Sequence, residues 1–166
     1  MLILLPPSEG KALPARRGRP VDLAALSAPE LTETRLAIRD ALIAVSHRPD
    51  AHRILAVPPA LLDEVALNTR LKSLPGLPAM RVYTGVLYAA LDYPSLSPAA
   101  KRRAARSLKV QSALWGPVGP ADRIAPYRLS MAVSLPGLGP LAGVWSPAGC
   151  WRHLRHPVPR PRWPRS

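Results

Sequence analysis

The sequence predicts a chain that mixes helices and strands, of the α+β (mixed α/β) class, with a disordered C-terminal tail. Short apolar runs of strand length occur near the N-terminus and near residue 110, and segments with apolar residues at helical spacing lie between them. After Trp145, prolines recur every two or three residues, which prevents a regular helix or a central strand. We therefore divide the chain into a folded domain, residues 1–145, and a Pro/Arg-rich irregular tail, residues 146–166.

The N-terminal half of the folded domain contains one predicted strand and two predicted helices. Residues 2–5 are apolar and are followed by two prolines, which is typical of a short buried strand. Ser27 and Glu30 form a capping-box pattern that predicts the start of the first helix, and residues 59–71 predict the second. The positions expected to face the core are Leu31, Ile38, Leu42 and Val45 in the first helix, and Leu61, Leu62, Val65 and Ala66 in the second.

The second half of the domain alternates between the two kinds of element. Residues 79–83 predict a strand and residues 86–91 a helix. Ser97 followed by Pro98 predicts a further helix start, with serine as the cap and proline in the first turn, and this helix extends to about residue 107. Residues 108–114 predict a strand.

The charge of the chain favours polyanionic partners. The formal net charge of the 166 residues is +13, and the five arginines of residues 150–166 account for part of it. The single cysteine, Cys150, excludes an intramolecular disulfide and favours a reducing, cytoplasmic location. Residues 2–5 are too short for a signal sequence, and no apolar run has the length of a membrane span.

The first candidate binding motif is the turn that follows the N-terminal strand. Gly10 allows a tight turn, and Ser8 and Lys11 lie where they could meet a phosphate. The spacing is not that of a Walker A loop. A plain solvated turn is the alternative interpretation.

The second motif is Tyr83-Thr84-Gly85, at a predicted boundary between a strand and a helix. Backbone N–H groups at a helix start can hold an anion, and Thr84 can cap the helix. The residues by themselves favour a structural corner in which Tyr83 and Tyr88 are core aromatics.

The third motif gathers an acid, two arginines and a tyrosine in one loop rich in glycine and proline. Asp122 can orient an arginine by a bidentate pair, and Arg123 and Arg128 can meet a phosphate or carboxylate. Tyr127 follows a proline, which restricts its backbone. The alternative is an ion-pair network that only stabilises the loop.

A basic stripe is predicted on the helix that begins at Pro98. Arg102, Arg106 and Lys109 are spaced to share one face, where they could neutralise phosphates along a duplex. Solvation is the more usual explanation of a charged helix face. The segment 135–139 also looks like the hairpin of a helix-hairpin-helix DNA-binding element, although residues 129–135 favour an extended chain over the helix that should precede it.

The sequence contains no clear motif for a metal site or for a catalytic nucleophile. His47 and His52 lie on either side of a proline, and no Cys, His or carboxylate cluster has ligand spacing, so we expect no metal and no cofactor. No Ser-His-Asp arrangement is recognisable either. No catalytic residue is therefore assigned, and an enzymatic function is left open.

The three candidate binding motifs follow one another along the chain within longer characteristic segments. They read MLILLPPSEGK at residues 1–11, VYTGVLY at residues 82–88, and SALWG, DRI, PYRLSM and LPGLG within residues 112–139. In this order they resemble the YaaA-type peroxide-stress resistance family over residues 1 to about 145. The resemblance implies an α+β or mixed α/β fold with a basic cleft, binding to double-stranded DNA, and a part in limiting iron-driven oxidative damage during hydroperoxide stress.

The chain departs from the family in two places. Family members generally carry an arginine where this chain has Gly119, which removes one positive group from the expected site. They also continue beyond about residue 146 into further α/β chain, so we expect that the tail arises from a frameshift or a misassigned end. A genuine basic tail is the alternative. Two other functions stay open, an enzyme acting on a nucleotide or nucleic-acid base, and an inactive truncated fragment.

Overall fold

The computed structural model describes residues 1–145, and the predicted tail lies outside the described residues. Both helices and strands are present, which confirms the mixed α/β class. The helices are α1 (Thr32–Ser46), α2 (Ala51–Ile54), α3 (Leu62–Asn68), α4 (Ala79–Val82), α5 (Val86–Leu91), α6 (Pro98–Ser107) and α7 (Leu141–Trp145). The strands are β1 (Ile3–Leu5), β2 (Leu77–Pro78), β3 (Leu108–Ser112), β4 (Gly116–Val118), β5 (Arg123–Ile124), β6 (Ser134–Leu135) and β7 (Gly139–Pro140). Short 3₁₀ turns occupy Pro29–Leu31, Pro59–Leu61 and Tyr93–Ser95.

The largest sheet has three strands in the order β1-β3-β4. β1 runs parallel to β3, with Ile3 opposite Leu108, and β4 is antiparallel to β3. The strand predicted at residues 2–5 is therefore present, but its predicted burial is wrong, because Ile3 and Leu4 are 39% and 36% exposed. The reason is that β1 is the edge strand of this sheet among the described residues.

Two smaller antiparallel pairs complete the strands. β2 pairs with β5, and β6 forms a hairpin with β7 that leads into α7. The chain before this hairpin, residues 129–133, is not helical, so the helix-hairpin-helix interpretation lacks its first helix.

Helix α1 supplies one side of the core and packs against α2, α3 and β6. The four positions predicted to face the core are all buried, Leu31 at the end of the preceding 3₁₀ turn and Ile38, Leu42 and Val45 in α1. The predicted cap is wrong. Ala28 adopts a left-handed conformation with φ of 57°, a 3₁₀ turn follows, and the Ser27 hydroxyl accepts a hydrogen bond from the Lys109 ammonium instead of capping the helix.

The segments at 59–71 and 79–83 differ from their predictions. In α3 only Val65 of the four expected inward residues is buried, whereas Leu62 is 45% exposed. Residues 79–83 were expected as a strand, but most of them form α4, because a short apolar run does not distinguish a buried strand from a buried helical turn. Long-range bonds fix this turn: the Ala79 N–H donates to the Asp122 carbonyl at 2.8 Å.

The helices and the strand between residues 86 and 112 match their predictions. Helix α5 occupies the predicted range, and α6 begins after Ser97, whose hydroxyl accepts the N–H of Ala100 at 3.2 Å. Strand β3 follows α6 directly and covers most of the predicted segment.

A buried arginine connects the two halves of the core. Arg35 lies on α1 and is fully buried, and its guanidinium donates to the carbonyl oxygens of Trp115 and Ala28, both at 2.9 Å, and of Ser27. These bonds attach two segments to α1: the left-handed turn that precedes it, and the turn between β3 and β4. The charge is desolvated, and its hydrogen bonds offset that cost.

Replacing this arginine tests its role. We expect Arg35→Met to lower the free energy of unfolding by on the order of 3 kcal/mol, because one buried and two partly buried carbonyl groups would lose a donor. Urea denaturation followed by circular dichroism measures the change. Arg53→Met, at an exposed position on α2, is the matched control, and equal stability of the two variants would contradict the prediction.

Candidate functional site

The first two motifs are joined by hydrogen bonds. The Thr84 N–H donates to the Ser8 hydroxyl at 3.1 Å and to the Gly10 carbonyl at 3.3 Å, and the Ser8 hydroxyl donates to the same carbonyl. A Cβ at Gly10 would lie 3.0 Å from the Thr84 hydroxyl oxygen. Glycine at position 10 therefore allows the close approach of the two turns.

Lys11 lies at the meeting point of the turns. It forms an antiparallel bridge with Tyr83, and its Nζ donates to the carbonyl oxygens of Ser8 at 3.0 Å and Glu9 at 3.4 Å. The same Nζ is 4.5 Å from the ring centroid of Tyr127 and 6.0 Å from that of Tyr83. The ammonium is therefore held by carbonyl dipoles and an aromatic face.

The third motif contributes Arg128 to the same place. Its Nη1 donates to the Glu9 carbonyl at 3.2 Å and is 3.5 Å from a carboxylate oxygen of Glu64. The carbonyl oxygen of Glu9 thus accepts from both Lys11 and Arg128. The three separated motifs meet at this point of the fold.

A buried asparagine fixes the backbone of Arg128. Asn68, at the end of α3, accepts the Arg128 N–H at 2.9 Å and donates to its carbonyl at 3.0 Å. The amide also donates to the Ser46 hydroxyl at 3.2 Å. Sequence reasoning missed Asn68. Its only signal was a polar residue three positions after Val65, on the inward face of a predicted helix.

Buried hydroxyl groups lie behind the lysine. The Tyr127 and Ser112 hydroxyls are 2.7 Å apart, and the Ser112 oxygen also accepts the Trp115 N–H at 2.9 Å. Tyr83 stacks on Tyr88 at 5.4 Å between ring centroids. The core role that the residues favoured for Tyr83 and Tyr88 agrees with this packing.

The same environment shifts the pKa values of the site. Burial, together with a smaller effect of the Arg128 guanidinium, lowers the pKa of Lys11 to about 8, while Glu64 and Glu9 oppose the shift. Burial raises the pKa values of Tyr83 and Tyr127, so both phenols stay protonated at neutral pH. Lys11 is therefore the group of this cluster that can change its charge near neutral pH.

Two cavities flank the Ser8–Lys11 turn. One has a volume of about 80 Å³ and is lined by residues that include Lys11, Glu64, Leu67, Pro126 and Tyr127. The other, of about 300 Å³, is lined by residues 6–10 and 84–88. The lysine therefore faces a cavity, which an anion or a small polar molecule could enter.

Gly85, and not Thr84, is the residue that precedes α5, so Thr84 does not have the expected role of a helix cap. Gly85 precedes α5 with φ of 102°, a conformation that favours glycine, and the Thr84 side chain does not cap the helix. Thr84 acts through its backbone N–H, which is directed at the Ser8 turn.

Asp122 and Arg123 lie away from the lysine. The Asp122 carboxylate accepts the N–H groups of Gly119 at 2.8 Å and Ser27 at 3.0 Å, and Arg123 donates to the Gly76 carbonyl at 2.6 Å. The expected pairing of Asp122 with an arginine is not formed within residues 1–145. The backbone N–H groups of Gly119, in the same turn, and of the distant Ser27 are its partners instead.

Lys109 is not part of a helical stripe, which corrects the prediction. Helix α6 ends at Ser107, and Lys109 lies in β3, where its Nζ donates to the Ser27 hydroxyl at 2.8 Å. A Cβ at Gly119 would be 3.2 Å from this Nζ. Lys109 thus brings a positive charge next to Gly119. Arg102 and Arg106 stay exposed on α6.

Within residues 1–145, no group of three His, Cys, Asp or Glu side chains is arranged to hold a metal ion. None of the helices in this range is both long and apolar enough to cross a membrane.

Comparison with known proteins agrees with the motif pattern. The family model described as peroxide stress protein YaaA matches residues 1–155. The chain belongs to this family. A YaaA-family relative from Streptomyces coelicolor, a UPF0246 protein, is 51% identical over 147 residues, which is 87% of this chain and 56% of the relative. A UPF0246 protein from Corynebacterium efficiens is 47% identical over 137 residues, 82% of this chain and 54% of the relative.

The match with these relatives covers only part of their length. This YaaA-family chain spans about half the length of the curated relatives it matches. The family name associates it with oxidative stress. The residues of the candidate site all lie within the matched range.

The shifted pKa of Lys11 predicts a pH-dependent contribution to stability. Between pH 8 and the ordinary value of 10.5, the unfolded chain binds more protons than the folded chain at this residue, so this contribution becomes more favourable as pH rises. We expect the stability of the wild type relative to Lys11→Met to increase from pH 7 to pH 9.5. Urea denaturation at a series of pH values measures it.

The matched control for that series is Lys72→Met, at an exposed lysine. A wild-type advantage over Lys11→Met that stays constant with pH, or that falls, would contradict a lowered pKa of Lys11 in the folded chain.

Proposed function

We propose that this protein contributes to peroxide stress resistance by binding double-stranded DNA in the cytoplasm through a basic surface centred on α6. Its membership of the YaaA family supports the link to peroxide stress. The observation that carries the DNA-binding part is the unneutralised cationic face of α6. DNA covered in this way would be less accessible to iron-driven oxidation.

Helix α6 concentrates positive charge on an exposed element. Its ten residues contain no acid, and Arg102, Arg103 and Arg106 are exposed. Among the described residues, no ion pair involves these arginines. Elsewhere, Arg48 is paired with Asp50 at 2.8 Å. The arginines of α6 are therefore free to exchange solvent counterions for DNA phosphates.

The remainder of the helix supports this use. Lys101 donates to the Pro94 carbonyl at 2.7 Å, which ties the start of α6 to the preceding turn. A helix held at its base and cationic on its outer face can lie along a phosphate backbone without reorganising. The net charge of +13 adds long-range attraction.

Affinity for a short DNA duplex tests the proposal. We expect Arg102→Ala combined with Arg106→Ala to weaken binding about tenfold at 0.1 M salt, and to reduce the slope of log affinity against log salt by about two. Fluorescence anisotropy with a labelled duplex measures both quantities. Arg53→Ala combined with Arg70→Ala removes the same charge from two other exposed positions.

Two outcomes would contradict binding through α6. If both double variants lose affinity equally, the chain binds by net charge rather than through α6. Unchanged affinity of the α6 variant would exclude this helix as the interface. Melting curves of each variant check that the fold is kept.

A second candidate function is an enzyme that acts on a nucleotide or a nucleic-acid base. The observation that favours it is Lys11, a partly buried lysine with a lowered pKa beside a cavity. A flat salt dependence with saturable mononucleotide binding would favour this function over DNA binding through α6.

A further inference from the structure

We propose that the amine of Lys11 forms an imine with an aldehyde that carries a phosphate group. The site is the cavity of about 80 Å³ lined by Lys11, Glu64 and Tyr127, with Arg128 beside it. The inference does not rest on DNA binding by α6. It assigns a covalent chemistry to the cavity, which neither the family name nor the relatives' names describe.

The geometry fixes the lysine at the wall of the cavity. Its backbone is bridged to Tyr83, and the next residue, Ala12, donates its N–H to the Val82 carbonyl at 2.8 Å. The Nζ lies 4.5 Å from the Tyr127 ring centroid, and Tyr127 is itself held by the Ser112 hydroxyl. The amine is therefore positioned by contacts on both its backbone and its side chain, as a nucleophile requires.

The surroundings make the amine available as a nucleophile. Burial and the neighbouring guanidinium of Arg128 bring the pKa of Lys11 to about 8. At pH 7.5 roughly a quarter of such amines are neutral, against about one in a thousand for an ordinary lysine. The charged and titratable groups facing Lys11 are Glu9, Glu64, Tyr83, Tyr127 and Arg128.

Arg128 identifies the second feature of the substrate. Its Nη1 shares the Glu9 carbonyl with Lys11, and only one of its contacts is a carboxylate, the half-exposed Glu64 at 3.5 Å. The guanidinium has further N–H donors, whose fork geometry matches phosphate oxygens. An aldehyde with a nearby phosphate would satisfy both groups. It could be a free sugar phosphate or an abasic site in DNA, in which the sugar aldehyde lies between phosphates.

The step is balanced without a co-reactant. The neutral amine of Lys11 adds to the carbonyl carbon; the nitrogen loses one proton and the carbonyl oxygen gains one, which gives a carbinolamine. The nitrogen then loses its second proton, the C–O bond breaks, and the oxygen leaves as water while the C=N bond forms. One amine and one aldehyde give one imine and one water, and neither oxidation nor reduction occurs.

Reductive trapping on the wild-type chain tests the inference. The full chain is incubated at pH 7.5 with sodium cyanoborohydride and either 2-deoxyribose 5-phosphate or a duplex containing one abasic site, and the adduct is located by peptide mass spectrometry. The chain has four lysines, Lys11, Lys72, Lys101 and Lys109. We expect Lys11 to be labelled at least tenfold faster than Lys72 by one probe or both. Labelling with the free sugar alone, or with DNA alone, identifies the source of the aldehyde.

Two results would overturn the proposal. One is the absence of an adduct with both probes, and the other is preferential labelling of Lys72, Lys101, Lys109 or the α-amino group. Because the map is made on the unmodified chain, neither result depends on whether a variant folds.

Variants add a test of each role. Lys11→Arg should abolish the adduct, whereas Lys72→Arg should retain it. Arg128→Gln should remove the preference for 2-deoxyribose 5-phosphate over neutral 2-deoxyribose. An Arg128→Gln preference equal to that of the wild type would refute the phosphate assignment. Loss of duplex binding in the α6 variant, with Lys11 labelling by the free sugar retained, would show that the two proposals are independent.

Discussion

The buried guanidinium of Arg35 connects the elements on which the candidate site depends. It joins α1 to the Ser27–Ala28 turn and to the carbonyl of Trp115. The N–H of Trp115 donates to Ser112, whose hydroxyl meets that of Tyr127, and the Tyr127 ring supports Lys11. A continuous series of polar and aromatic contacts therefore leads from a charge in the core to the amine at the cavity.

The side chains of Lys11 and Arg128 lie close together at the site, and neighbouring oxygen atoms reduce the repulsion between them. Lys11 and Arg128 share the Glu9 carbonyl oxygen, and Glu64 balances part of their charge. Burial first, and the neighbouring Arg128 guanidinium second, lower the pKa of Lys11. A site that keeps residual positive potential is suited to an anion, whereas a purely structural ion pair would be neutral.

Sequence patterns were sufficient where the determining contacts are local. Ser97 predicted the start of α6, and helical spacing predicted the buried face of α1. The predictions were wrong where residues distant in sequence determine the local structure. Lys109 donates to Ser27 instead of joining a helical stripe. Residues 79–82 form α4 instead of a strand, because their N–H groups donate to carbonyls of the turn that contains Asp122. Asn68 could not be recognised, because a buried polar residue with long-range partners resembles a surface residue in a periodicity pattern. The three motifs meet around Lys11, whereas Asp122 and Arg123 have their hydrogen-bond partners elsewhere.

The parallel pairing of β1 with β3 has a consequence for how the chain is made. The three-stranded sheet can form only after Leu108, about 100 residues after its partner Ile3, has been synthesised. At about 5–20 residues per second, ribosomal synthesis leaves the N-terminal strand without its partner for on the order of ten seconds. During that interval Ile3 and Leu4 lack their strand partners, and the cavity beside Lys11 cannot form until Pro126 and Tyr127 have been synthesised.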